Sequence, residues 1–528
     1  MLYSKLKTVY NTVKYLRVTQ ILHQIKYRVF APKTLQQYRA KKDVALSYIP
    51  CFTITPTIET CWDGKACFKF LNISVSFDKE IDWNFQKHGK LWNYNLQYGN
   101  YMLQSSISNE RKAEIVKSQY AWLTDGRLPL EPYPASLRAI NVIRWISQSQ
   151  YQDSEVLQYL YADLSFLTTR LEYHLLGNHL LENAFALMMG GAFFGNDTWL
   201  KIALKTLEVE LTEQVLSDGA HFELSPMYHQ IIFFRILELI DWYSKWEGKE
   251  QEFEDWLKWK ASMMRVWLKN ITFKNGDIPH FNDSTKEVAY PSPWLISYAR
   301  HLEIPTNNIS LGESGYRRID LGEYECRIDF AQLGPSYQPG HAHADALSFI
   351  VYYKATPLFV EQGTSTYQIG EIRTRERSTA AHNTVVVNQQ NQSNVWGGFR
   401  VAERAKTEIL VDGEYCFSAQ HDGYRKLNII HRRTFEFERN AIKIIDELCG
   451  NDKFTKEFHL HIHPSIRTKK TDNSHVELSN GITISFEHSL KIQMEPYEMS
   501  NGYNSYKIGN KLIVSFINKL TTNILMEN

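Results

Sequence analysis

His341, His343 and Asp345 stand at alternate positions just ahead of the apolar run Leu347 to Tyr353. On an extended strand they would all project on one side, because side chains repeat every second residue. Two imidazoles and a carboxylate converging at a strand end make a metal site, an acid/base site or a hydrogen-bonded structural pair. Downstream, Phe359 to Thr364 reads as a second strand after a turn at Lys354 to Pro357, and Ala381 to Asn388 as a third with His382 at its entry. Zinc with an open position is commonly held by three protein ligands of the His and carboxylate type. His343, Glu361 and His382 would form such a set, one from each of three strands in a sheet. Their separations of 18 and 21 residues are too long for a local finger and suit neighbouring strands. His341 is then left for chemistry beside the metal.

A second constellation lies upstream in helical sequence. After Gly177, the pairs Asn178/Glu182 and His179/Asn183 are each four residues apart, giving a polar patch at the start of an otherwise apolar helix. Ser225 and Pro226 suit the N-cap and first position of another helix, followed by the run Ile231 to Ile240. Tyr228 falls in its first turn, facing a cleft or packing as one of 30 tyrosines.

Taken together, Asn178-His179-Leu180-Leu181-Glu182-Asn183, Ser225-Pro226-Met227-Tyr228-His229, the His341/His343/Asp345 stretch and Ala381-His382-Asn383-Thr384 resemble the heparinase II/III-like superfamily, in its order. Leu91 to Leu96 and Glu131 to Arg138 are similar to its N-terminal domain, and Asp422-Gly423-Tyr424 and His431-Arg432-Arg433 to its C-terminal sheet domain. The resemblance covers positions 90 to 435. It implies an α+β multidomain protein, with an incomplete (α/α) toroid followed by an antiparallel β-sandwich. It also implies a polysaccharide lyase acting on uronate glycans, or a uronyl C5-epimerase with the same first step. An inactive glycan-binding assembly protein is a third reading, against which the joint presence of the four candidate catalytic residues argues.

Lyases of this kind remove the C5 proton of a 4-O-linked uronate and expel O4. The adjacent carboxylate must be neutralised as enolate character develops. The resemblance implies that Asn178 and His179 do this. Tyr228 is then the acid, or acid and base together, and His341 the base for the opposite arrangement. Glu182, Arg138, Trp396 and Arg400 are expected to contact the sugar chain. The zinc at His343, Glu361 and His382 is expected to be structural, fixing the loop that presents His341. Family members with zinc carry Asp where Glu361 stands, and the extra methylene moves the ligand oxygen. A binuclear metallo-hydrolase would want a further histidine after Asp345, where this chain has Ala346.

These residues need elements to position them. Helical periodicity dominates from Leu103 to Leu302, as in Ser154 to Leu176 and Trp256 to Lys269. Short alternating runs such as Leu427 to Phe437 and Ala441 to Leu448 follow Gly315. The expected domains are a basic segment at 1–45, a toroid at 46–308 and a sandwich at 309–528. Gly276 to Ser284 reads as a polar connection at the toroid rim.

With 59 basic and 58 acidic residues, the net charge of +1 excludes a generally basic nucleic-acid binder, so an acidic glycan must be met by a local cleft. Six cysteines without a CxxC read as reduced thiols. Residues 1–30 carry six Lys or Arg, no acid and no secretory-type apolar core. They would either lie on an anionic membrane surface or pack on the toroid. The expected location is cytoplasmic, with the inner face of the membrane as the alternative site.

Overall fold

The computed structural model describes residues 2–30, 34–42, 44–56, 58, 60–470 and 472–526. Two helices open the chain, α1 (Leu2–Val13) and α2 (Val18–Val29). The toroid follows with α3 (Lys90–Tyr98), α4 (Asn109–Asp125), α5 (Pro132–Ser149), α6 (Ser154–Thr169) and α7 (Gly177–Phe194). It closes with α8 (Asp197–Gln214), α9 (Pro226–Tyr243), α10 (Gln251–Ile271) and α11 (Ser292–His301), and the first strand of the sandwich begins at Tyr316. The architecture is an incomplete (α/α) toroid followed by an antiparallel β-sandwich.

Helix position explains helix sequence. In α10, Phe253, Leu257, Ala261, Met264, Leu268 and Ile271 recur at intervals of three or four and are the buried stripe of a peripheral helix. By contrast, α7 is buried along nearly its whole length, so the segment from Ala184 to Phe193 is apolar on all sides. At the start of α9 the Ser225 hydroxyl accepts from the Tyr228 amide at 3.2 Å and Pro226 occupies the first turn. The helix expected over Ser154 to Leu176 stops at Thr169. There the Glu172 amide is captured by the Asn183 side chain at 2.8 Å, and the chain turns through Leu176 (φ 65°) into Gly177 (φ 61°).

One antiparallel sheet of fourteen strands makes the C-terminal domain. Its spine is the strand Tyr506–Leu525, which pairs along one edge with Thr483–Ser500. On its other edge residues 519–525 pair with Ala441–Gly450, and residues 510–516 pair with Lys456–Ile462. Register shifts around Ser489 bend this long ribbon, and the sheet folds over a second core that includes Phe349, Phe435, Phe458 and Val514. Ile429–Glu438 and Ala441–Gly450 alternate buried and half-buried positions, the period-two pattern visible in their sequences.

The residues with chemistry depart from that regularity. His341 to Asp345 form a loop, and the strand begins only at Phe349. The second strand is Thr356–Phe359, which leaves Glu361 beyond its end. The third is Val385–Val387, with His382 following a 3-10 turn, Thr379–Ala381. Side chains take over from the ladder here. Asn383 Nδ2 donates to the carbonyls of Phe349 (2.8 Å) and Val360 (3.0 Å), and the His343 amide donates to Asn282 Oδ1 (2.9 Å). Pairing of backbone to side chain frees these residues from strict alternation.

Candidate active site

A cleft of about 1980 Å³ lies between the toroid, the loops of the sheet domain and the α1–α2 pair. Asn178, His179, Glu182, Tyr228, His341, Trp396 and Arg400 all line it, although they come from four separate stretches of chain. Asn178 and His179 lie in the first turn of α7, Tyr228 in the first turn of α9 and His341 on the loop before Phe349.

The Tyr228 and His341 rings stack with centroids 3.8 Å apart and planes 28° apart. The Tyr228 hydroxyl is 3.3 Å from that of Tyr367. Burial, reinforced by Tyr503, holds the Tyr228 phenol well above its ordinary pKa, so it rests protonated. His341 sits between two carboxylates, with Nδ1 3.0 Å from Asp283 and Nε2 3.3 Å from Glu223. A neutral imidazole donates to only one of them, and an imidazolium donates to both.

Around Asp283 the site is tightly bonded. Its carboxylate also accepts from His343 Nε2 at 2.9 Å and forms a bidentate pair with the buried Arg373 guanidinium. Burial opposes ionisation of Asp283, but Arg373 and the two histidines outweigh it and hold the carboxyl well below the usual range. His179 Nδ1 lies 3.1 Å from Glu172 and its ring packs on Tyr133 with centroids 4.3 Å apart. Burial disfavours the charged imidazole, yet Glu172 outweighs burial and the His179 pKa is raised. Asn178 spends its amide on Glu223, with both carboxylate oxygens 3.0 Å from Nδ2 and one 3.0 Å from the backbone amide.

Two of the expected sugar contacts have other roles. Arg138 is 1% exposed and locked to Asp163 by bonds of 2.7 and 2.8 Å. A guanidinium buried that deeply and paired with Asp163 is a brace inside the toroid, so the expected substrate role is corrected. Glu182 reaches the cleft wall but is 1% exposed and paired with Arg235 at 2.9 Å. Trp396 and Arg400 do present themselves to the cleft, from the short hairpin of Val395–Trp396 and Arg400–Val401, with the guanidinium 4.7 Å over the indole.

The expected metal set is also altered. Ligand-type atoms of His343, Asp345 and His382 lie within 4.8 Å of one another. His343 Nδ1, Asp345 Oδ2 and His382 Nε2 are buried without a hydrogen-bond partner. Glu361, expected as third ligand, instead sits behind His382, 2.7 Å from its Nδ1, and takes a short hydrogen bond from Ser348. The carboxylate grouped with the two imidazoles is that of Asp345 rather than Glu361. A carboxylate behind each histidine, Asp283 for His343 and Glu361 for His382, is how metal-binding imidazoles are commonly oriented.

Glu172, Glu223 and Asp283 were not reached from sequence. Asp283 bonds to residues 58 to 90 positions away, so nothing in its local spacing marks it. The sole signal was its polar loop, Gly276 to Ser284, placed at the toroid rim.

Comparison with known proteins agrees with the architecture. Residues 17–302 match the family described as Heparinase II/III N-terminus, and residues 303–525 match Heparinase II/III-like, C-terminal. A heparin-sulfate lyase of Bacteroides stercoris is 26% identical over 320 residues, covering 54% of this chain and 46% of that protein. One of Pedobacter heparinus is 24% identical over 334 residues, covering 56% and 47%. The chain therefore spans about half the length of the curated relatives it matches. Among solved structures, a heparinase III superposes with a TM-score of 0.68 at 16% identity, covering 93% of this chain and 88% of the other. Heparan sulfate lyase HepC from Pedobacter heparinus superposes with a TM-score of 0.58 at 18% identity, covering 96% and 87%. At these identities the structural likeness is one of fold, and with both sequence families matched in succession the chain belongs to the heparinase II/III family.

Proposed function

We propose that this protein is a polysaccharide lyase that cleaves a 4-O-linked uronate glycan by β-elimination. The observation that carries the reading is the Tyr228–His341 stack in a cleft that Asn178 and His179 also line, with Glu223 bonded to Asn178 and beside His341. His179, its pKa raised by Glu172, offers Nε2 to the uronate carboxylate, and Asn178 shares its amide between that carboxylate and Glu223. Enolate charge is thereby met by donors already in position. His341, fixed through Nδ1 by Asp283, takes the C5 proton. The C5–H electrons form the C4=C5 bond as the C4–O4 bond breaks, and the protonated Tyr228 phenol returns a proton to O4. One proton is gained by His341 and one lost by Tyr228, so exchange with solvent resets the pair.

The substrate class follows from the chemistry, a glycan of uronates. Relatives named heparin-sulfate lyases make a sulfated one the first to try. Incubation with uronate glycans in deuterated buffer tests the proposal. Absorbance of an unsaturated uronate is expected. Deuterium at C5 without that chromophore would overturn elimination in favour of epimerisation.

We further propose that His343, Asp345 and His382 hold a zinc ion. Two imidazole nitrogens and a carboxylate oxygen, buried and unpartnered, fit a three-ligand zinc site. When bound, the ion would cross-link the His341 loop to the turn at His382. Metal analysis of the purified protein should find close to one zinc per chain, and His382→Ala should lose it together with thermal stability. Metal-free protein of unchanged melting temperature on zinc addition would sink this assignment.

A further inference from the structure

The α1–α2 pair is built inside out. In α2, Val18, Ile21, Leu22, Ile25 and Val29 follow the spacing of one helical face, and all five are exposed, by 37% to 72%. The opposite face is polar and is the one that docks. Gln20 Nε2 donates to the carbonyls of Leu175 (3.3 Å) and Tyr337 (3.4 Å), and the Tyr27 hydroxyl donates to the Leu171 carbonyl (2.6 Å). Helix α1 repeats the arrangement. Leu6, Val9, Tyr10 and Val13 are exposed at the same helical spacing, while buried Asn11 bonds to Glu403 and Thr12 Oγ1 accepts from the Trp396 indole at 3.1 Å. With Phe30, ten of the 26 exposed large apolar side chains among the described residues fall between positions 6 and 30. An apolar stripe that a soluble helix would bury is here the outer surface.

The charges beside the stripe select its partner. No acidic residue occurs in positions 1–30, and Lys14, Lys26 and Arg28 flank the apolar face with no ion-pair partner among the described residues. A second copy docked about a two-fold axis would bring these cations against each other with no carboxylate on either hairpin to meet them. An anionic lipid surface supplies both an apolar interior for the stripe and phosphate charge for the lysines. No helix among the described residues is long and apolar enough to cross a membrane, so the mode is interfacial.

We propose that the α1–α2 hairpin binds the surface of an anionic lipid bilayer, with its apolar stripe in the headgroup region. Val9, Val13 and Gln24 of the hairpin also line the cleft. Docking the stripe therefore sets the mouth of the cleft at the lipid surface, where glycan chains held near the bilayer meet it first.

Sedimentation of the full chain with vesicles tests this. Pelleting is expected with phosphatidylcholine vesicles containing phosphatidylglycerol, and much less with phosphatidylcholine alone. Lys14→Gln with Lys26→Gln should weaken anionic-vesicle binding by roughly 30-fold, at about 1 kcal/mol per basic residue. Leu22→Glu with Ile25→Glu should abolish it while the circular dichroism of the protein is unchanged, since both side chains are exposed. Absence of pelleting by the unaltered protein, or pelleting that survives the glutamate pair, overturns the proposal. A soluble dimer that the glutamate pair dissociates would assign the stripe to a second copy and overturn it equally.

Discussion

Tyr228→Phe removes one oxygen and leaves the stack on His341 in place. Loss of the proton donor should lower kcat by about 10²- to 10⁴-fold with glycan binding retained by calorimetry. A variant that still turns over at the original rate would discard the assignment. Glu172→Gln probes His179. Because Glu172 raises the His179 pKa against burial, the cation persists to higher pH than an ordinary imidazole and is lost as pH rises through that raised value. Neutralising Glu172 should move the alkaline limb of kcat/KM to lower pH, and an unmoved limb would mean that His179 does not work as a cation. Arg400→Ala should raise KM with little change in kcat, since its guanidinium stacks on Trp396 at the cleft wall. At this scale the sequence was informative where a local signal accompanied the residue. A glycine before His179, a Ser-Pro cap before Tyr228 and a strand after His341 each mark a terminus, and termini face clefts. Arg138 sits within an equally recognisable stretch, yet residue type alone cannot tell a guanidinium that awaits a ligand from one already closed on Asp163.

Elements carry the precision of the site, and Gly177 shows how. It has φ 61°, and a Cβ there would stand 2.2 Å from Gln338 Oε1 and 2.5 Å from Glu223 Oε1. Gly177→Ala should cost about 1–3 kcal/mol and push Glu223 off Asn178, lowering turnover by roughly 10²-fold. Wild-type kinetics in that variant would show the Glu223 contact to be incidental. Arg433 is a second device. From its strand it donates to the carbonyls of Leu347 (2.8 Å) and Asn383 (2.6 Å) while paired with buried Asp446, clamping together the turns that follow His341 and His382. Helix and strand periods were legible over long stretches such as α10 and Ile429–Glu438. The loops of His341, Glu361 and His382 were misread as strands because they abut true strands and their side chains bond to backbone, which periodicity does not encode.

Over the whole molecule, near-neutral net charge makes attraction of the proposed acidic glycan a local affair. KM should rise with salt above about 0.1 M, where the screening length falls to ~10 Å, while kcat stays nearly constant. An equal fall in kcat would point to a salt-sensitive fold instead. The two-domain plan was readable from the change of period near Gly315, whereas the contribution of α1–α2 to the cleft was not, because an inside-out helix has the same sequence pattern as a conventional one. The strand Tyr506–Leu525 has a consequence for assembly. Ala441–Gly450 and Lys456–Ile462 both pair with it, end to end along one edge, so both halves of the sandwich wait for a segment made after either of them. A chain growing from its N-terminus can complete the toroid early but carries open strand edges until residue 525 has emerged. During that interval ribosome-bound chains are exposed to edge-to-edge association, and closure of the sheet is expected as a single late, slow event set by distant pairings.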